Sequence, residues 1–213
     1  MSQKTDSVIK WVYAFDEKTE NMNSLLGGKG AGLAEMTHIG LPVPPGFTVI
    51  TKACKEFIDN NYHITDSIWQ DILINIKKLE LLTNKTYGDV NNPLLVSVRS
   101  GSVVSMPGMM DTVLNLGLND QTVLGLSKSS GGEKFAYDSY RRFIQMYSKV
   151  VLEIASDKFE SILDEIKLKN NYQSDSQLEF NDIQKIVNQF KEIVLAETGS
   201  DFPQDPYIQL KLA

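Results

Sequence analysis

The sequence changes texture at Leu118, and that change constrains the fold more than any single motif. Before it, apolar residues come in short runs separated by glycine and proline. After it, they recur every three or four positions over long stretches. Phe135 to Ile154 has apolar residues at 135, 136, 143, 144, 147, 150, 151 and 154, the spacing of a long amphipathic helix. Ser156 opens a second helix with Phe159, Ile162, Leu163 and Ile166 on its inner face. Residues 170–179 are polar and linker-like. Asn181 with Gln184 resembles a capping box, and Ile183, Ile186, Val187, Phe190 and Val194 carry a third helix to a stop at Gly199.

The first part reads as a mixture of strands and helices. Trp11 to Phe15 is aromatic and β-branched, hence a strand. Gly27-Gly28-Lys29-Gly30-Ala31-Gly32 reads as a turn feeding a short helix that Gly40 terminates. Phe47 to Ile50 is a second strand. Thr51 caps a helix to about Asn60, and Thr65 caps another to about Leu82 with Ile68, Ile72 and Ile76 on one face. Leu94 to Val98 reads as a buried strand. The expected class is therefore α+β, with an α/β subdomain over 1–118 and a helical subdomain over 119–200. Residues 201–213 look like the uncapped start of a return segment, as in a truncated chain.

Composition narrows the function. The 213 residues are 42% hydrophobic and 23% charged, ordinary for a soluble globular protein. No apolar run approaches the ~20 residues needed to span a bilayer. A net charge of −6 argues against nucleic acid as partner, since such binders usually carry a basic face. No signal or transit sequence is recognisable, and Cys54 is the only cysteine, so neither an internal disulfide nor a thiolate metal site is expected. A cytoplasmic location follows. His38 and His63 lack ligand-like spacing.

Two loops carry candidate chemistry. Lys29 stands among glycines where a helix is expected to begin, and positive charge added to a positive dipole suits a bound anion such as phosphate. A solvated lysine in a flexible turn fits that stretch equally well. Arg99 ends the apolar strand and can present its planar fork to phosphate oxygens; pairing with a surface carboxylate is the alternative. The segment that follows holds Ser100-Gly101 and Pro107-Gly108, with Met109 and Met110 able to pack on a flat base. Asp111 is placed to orient this loop or approach a metal. Together the loops suggest a nucleotide phosphate site, with the Lys29 and Arg99 charges expected to share one cleft.

The stretches LLGGKGAGLAEM, GLPVPPGFTV, PLLVSVRSG, SMPGMMDTVLNLGLND, FAYDSYRRFIQMYS and FPQDP, in this order, resemble the pyruvate phosphate dikinase family. The resemblance covers nearly the whole chain, and SMPGMMDT separates it from related dikinases with other acceptors. It implies an ATP-grasp N-terminal subdomain with a helical insert, in an enzyme that passes phosphoryl from ATP to a histidine on a swivelling domain and then to pyruvate. ATP is the implied cofactor, with Mg²⁺ held by acidic residues beyond residue 213, and the full-length protein is expected to be a homodimer. The family's phosphate-binding lysine falls on Lys29 and its catalytic arginine on Arg99. ATP contacts are implied at Gly101, Gly108, Met110, Asp111 and Thr112, within a lid over 105–112. Arg141 and Arg142 fall where the insert meets the phosphohistidine domain. One departure is Ser102-Val103-Val104, where the family usually carries an arginine. A fragment of this kind is expected to be inactive alone; the alternatives are a free-standing docking or regulatory module and a related dikinase.

Overall fold

In the first unit a three-residue strand, β1 (Val12–Ala14), pairs antiparallel with β2 (Phe47–Val49), placing Tyr13 opposite Thr48. The structure, a computed structural model, describes residues 9–101, 111–129 and 131–213. By contact density they form two units, the first holding 9–84 with 100–101 and the second 85–99 with 111–213. Three helices complete the first: α1 (Met22–His38), α2 (Lys52–Asp59) and α3 (Asp66–Thr83). Helix α3 packs on β1 through Ile68, Ile72, Ile76 and Leu79, the face its periodicity predicted. Helix α1 packs on β2.

Helix α1 differs from expectation. It starts at Met22, ahead of the glycines, and runs through them with a kink at Gly27, whose φ of 71° and ψ of 169° lie where a side chain is strained. Its end is as expected. Gly40 takes a φ of +84°, its N–H donates to Thr37 O, and Leu41 N–H donates to Met36 O, a paired closure that satisfies the last carbonyls. Thr51 does not cap α2; its hydroxyl donates to Ser24 O at 2.8 Å, tying α1 to the end of β2.

The second unit contains β3 (Thr86–Tyr87) parallel to β4 (Pro93–Leu94), and β5 (Val96–Arg99) antiparallel to β6 (Thr112–Leu116). Five helices follow: α4 (Thr122–Ser129), α5 (Gly132–Val150), α6 (Asp157–Asn170), α7 (Phe180–Thr198) and α8 (Pro206–Leu212). The run expected as one buried strand is broken at Leu95. Its halves join different sheets, and Ser97 and Arg99 are exposed.

The change of texture at Leu118 is not where the packing divides. Val113, Leu116 and Leu118 enter the same core as Phe143, Tyr147, Phe190 and Phe202, so β5 and β6 join the helical part. Burying each such large side chain is worth about 1.5–3 kcal/mol, which draws β6 into this core. The capping box of α7 also sits two residues earlier than expected, at Glu179 and Asp182. The return segment is capped and anchored. Asp205 accepts from Tyr207 N–H at 2.7 Å with Pro206 in the first turn. Gln209, fully buried, accepts from Gly117 N–H at 3.0 Å and donates to Leu118 O at 2.9 Å and Pro203 O at 2.8 Å.

Among the described residues no helix is long and apolar enough to cross a membrane.

Candidate functional site

Lys29 leaves α1 in the first turn after the Gly27 kink, half-buried, with Gly30 and Ala31 buried behind it. Its ammonium reaches 3.5 Å from the Ser100 carbonyl oxygen. The first unit thus brings Lys29 to the start of the loop that the sequence singled out, across 71 positions of chain. Gly28, beside it, is exposed, with nothing within 4 Å of where a side chain would begin.

Arg99 is the last residue of β5 and pairs across the ladder with Thr112, the first residue of β6. Two predicted phosphate contacts therefore close the two ends of one hairpin. Val98 opposite Val113 sets the next rung, and a register irregularity between Val96 and Val98 twists the pair below it. Arg99 is exposed and forms no ion pair with a described carboxylate, so the surface-carboxylate alternative has no partner among the described residues. Gly101 and Asp111 are also exposed. Gly108 and Met110 lie outside the described residues, as does most of the expected lid. Lys29 belongs to the first unit and Arg99 to the second.

The two arginines expected at a docking face differ sharply. Arg142 is exposed, with 57% of its side chain accessible, and its Nε donates to Asp138 at 2.9 Å, which raises its pKa. Arg141 is 1% exposed. Its Nε donates to Asp138 Oδ1 at 2.8 Å and its Nη2 to Asp175 Oδ2 at 3.3 Å. A side chain enclosed in this way presents nothing to a partner, so Arg141 belongs to the packing of α5 and the docking expectation is corrected to Arg142 alone. Neighbours on a helix point about 100° apart, so one of the two can be enclosed while the other stays exposed.

Sequence reasoning missed a groove in the first unit. It encloses about 540 Å³ beside Phe15, Val43, Pro44, Phe47, Asn75 and Leu79. The VPPG stretch and the α3 stripe were its only traces. Among the described residues no three of His, Cys, Asp and Glu converge to hold a metal ion.

Residues 23–86 match the family model described as pyruvate phosphate dikinase, AMP/ATP-binding domain. The pyruvate, phosphate dikinase of Clostridium symbiosum is 51% identical over 202 residues, 94% of this chain. The likeness is to the N-terminal part of the pyruvate, phosphate dikinases. The chloroplastic dikinase of Mesembryanthemum crystallinum is 47% identical over 216 residues, 100% of this chain, and that of Entamoeba histolytica 45% over 202 residues, 95% of it. The chain spans 23% of the length of each of these dikinases. The stretch matched by the AMP/ATP-binding model runs from the start of α1 to β3, so it contains Lys29, the Gly27 kink and the β2 strand on which α1 rests.

Proposed function

We propose that this chain supplies the ATP-phosphate contacts of a pyruvate, phosphate dikinase, which converts ATP, phosphate and pyruvate to AMP, diphosphate and phosphoenolpyruvate through a phosphohistidine carried elsewhere in the protein. The observation that carries the reading is the AMP/ATP-binding match over 23–86, within which Lys29 extends to the opening of the 100–111 loop. Lys29 and Arg99 are assigned as cations toward phosphate, with Gly101, Gly108, Met110, Asp111 and Thr112 as further ATP contacts. Cations act here by stabilising charge that develops on the transferred phosphoryl group. Mg²⁺ would supply further positive charge to the phosphates, and no described residue of this chain is assigned to hold it. The whole protein is taken to be a cytoplasmic homodimer.

Lys29→Gln removes one charged contact while keeping a flexible polar side chain one atom shorter. Hydrogen bonds to charged groups are worth about 1.5–3 kcal/mol, so ATP affinity in the intact dikinase is expected to fall by roughly 10- to 100-fold. An unchanged ATP affinity would remove Lys29 from the site and favour a docking module without catalysis.

Arg142 is assigned to contact with the phosphohistidine domain, because exposed arginine combines apolar area with directional donors. Arg142→Glu is expected to slow histidine phosphorylation about fivefold at low salt with ATP affinity intact, and the deficit is expected to shrink at high salt. A fall in ATP affinity with no change in histidine phosphorylation at saturating ATP would reject this role.

A further inference from the structure

The geometry points to Gly30 and Thr48 as a positioning pair that fixes where Lys29 carries its charge, an inference that rests on the phosphate role proposed for Lys29. Gly30 follows Lys29 directly and is buried against β2. A β-carbon placed there would sit 2.7 Å from Thr48 Cγ2 and 2.8 Å from Thr48 Oγ1, with Leu26 Cβ at 3.0 Å. Rotation of Thr48 does not clear this space. Its two γ atoms occupy two of three staggered positions, so any rotamer leaves at least one of them in a position that is now too close.

Neither side can simply retreat. Thr48 is held in the ladder opposite Tyr13, and the next rungs are Val12 with Val49 and Ala14 with Phe47. The near end of α1 is tied to the chain just after β2 by two hydrogen bonds from Thr51: its N–H donates to Leu25 O at 2.9 Å and its hydroxyl to Ser24 O at 2.8 Å. With α1 pinned at Ser24 and Leu25, an added methyl at Gly30 pivots the segment beyond the Gly27 kink away from β2. Lys29 lies at that pivot, and its ammonium is the group that moves. The absence of a side chain at Gly30 is therefore a requirement of close helix-on-strand packing, distinct from the open surface at Gly28, where nothing lies within 4 Å.

Misplacing a charged contact by about 1 Å can cost on the order of 10²-fold in a positioned reaction. In the intact dikinase, Gly30→Ala is expected to raise the KM for ATP about tenfold while the exchange between pyruvate and phosphoenolpyruvate, which needs no nucleotide, is unchanged. Thr48→Ala removes both obstructing atoms, so the Gly30→Ala/Thr48→Ala double variant is expected to return the KM to within about threefold of the starting protein. Thr48→Val keeps the wedge and removes only the hydroxyl, and its KM is expected to be unchanged. Two results would overturn the pair: a normal KM in Gly30→Ala, or a double variant that folds yet stays tenfold impaired. The double variant decides the matter even where Gly30→Ala alone does not fold. Lys29→Gln assayed alongside separates the two claims. If it leaves ATP affinity unchanged, the phosphate reading fails; if it weakens ATP while Gly30→Ala does not, only the positioning pair fails.

Discussion

On the phosphate role proposed for Arg99, Arg99→Ala in the intact dikinase is expected to slow nucleotide-dependent phosphorylation of the histidine by about 10²-fold or more, because that role makes it one of the charges toward the transferred phosphoryl group. The fold offers a reason to expect a specific loss. Arg99 is exposed at the end of β5, carries no ion pair to a described carboxylate, and its backbone is held in register with Thr112. Truncating its side chain leaves the Val98–Val113 rung and the apolar face of β6 untouched. The melting temperature is therefore expected to move by little, as for most surface substitutions. Arg99→Lys keeps the charge but not the planar fork, and an intermediate rate is expected. In the proposed reaction the exchange between pyruvate and phosphoenolpyruvate draws on the phosphohistidine and not on ATP, so it serves as the internal control. A loss in that exchange equal to the loss with ATP would assign Arg99 to stability or to docking, and the phosphate role would fall.

The parts of this fold that were legible in the sequence are those decided by local periodicity. The α3 stripe at Ile68, Ile72 and Ile76 and the inward face of α7 are buried as their spacing required, and on α6 Phe159 and Leu163 are buried while Ile162 and Ile166 are half-buried. Terminal glycines were equally readable, because Gly40 and Gly199 both take positive φ at helix ends. What failed was decided by distant partners. The glycine-rich stretch looked like a turn because glycine weakens helices, yet Thr48 across the packing interface requires a residue without a side chain at Gly30, and only Gly27 departs from helical geometry. The division at Leu118 followed a real change in local pattern, but β6 is too short to show alternation, and its apolar residues are claimed by the helical core. Strand ends were legible as candidate sites and not as paired ones: nothing in the sequence places Thr112 opposite Arg99. Likewise, the family resemblance gave Arg141 and Arg142 the same surface role, and only the packing tells them apart.

Arg141 yields the largest expected effect on stability, and the argument begins from its burial. It is the largest of the fully buried side chains, 1% exposed, and its guanidinium lies between Asp138 and Asp175. Arg141→Ala is expected to cost about 4 kcal/mol, through the cavity left in α5 and the loss of two charge-assisted hydrogen bonds. At about 2–4 °C per kcal/mol for a chain of this size, the melting temperature is expected to drop by roughly 8–16 °C. The two carboxylates are not stranded, since Asp138 keeps Arg142 at 2.9 Å and Asp175 keeps Lys167 at 3.3 Å. Arg141→Met, which refills the volume, is therefore expected to cost clearly less than Arg141→Ala. The effect also depends on pH. Burial pushes the Asp138 carboxyl up, but the hydrogen bond from Arg142 and the charge and hydrogen bond of Arg141 outweigh it, and its pKa is lowered. A lowered folded-state value means that ionised Asp138 stabilises the fold above the ordinary carboxylate value of about 3.9 and loses this contribution as pH falls through the folded value. Arg141→Ala gives up part of that depression, so it has less to lose in acid. The stability gap between the starting protein and the variant is expected to be constant from about pH 6 to 8 and to narrow below about pH 4. Urea unfolding at pH 7 and at pH 3.5 measures both quantities. A gap under about 1 kcal/mol at pH 7 would mean that the guanidinium contributes nothing beyond what Arg142 and Lys167 supply.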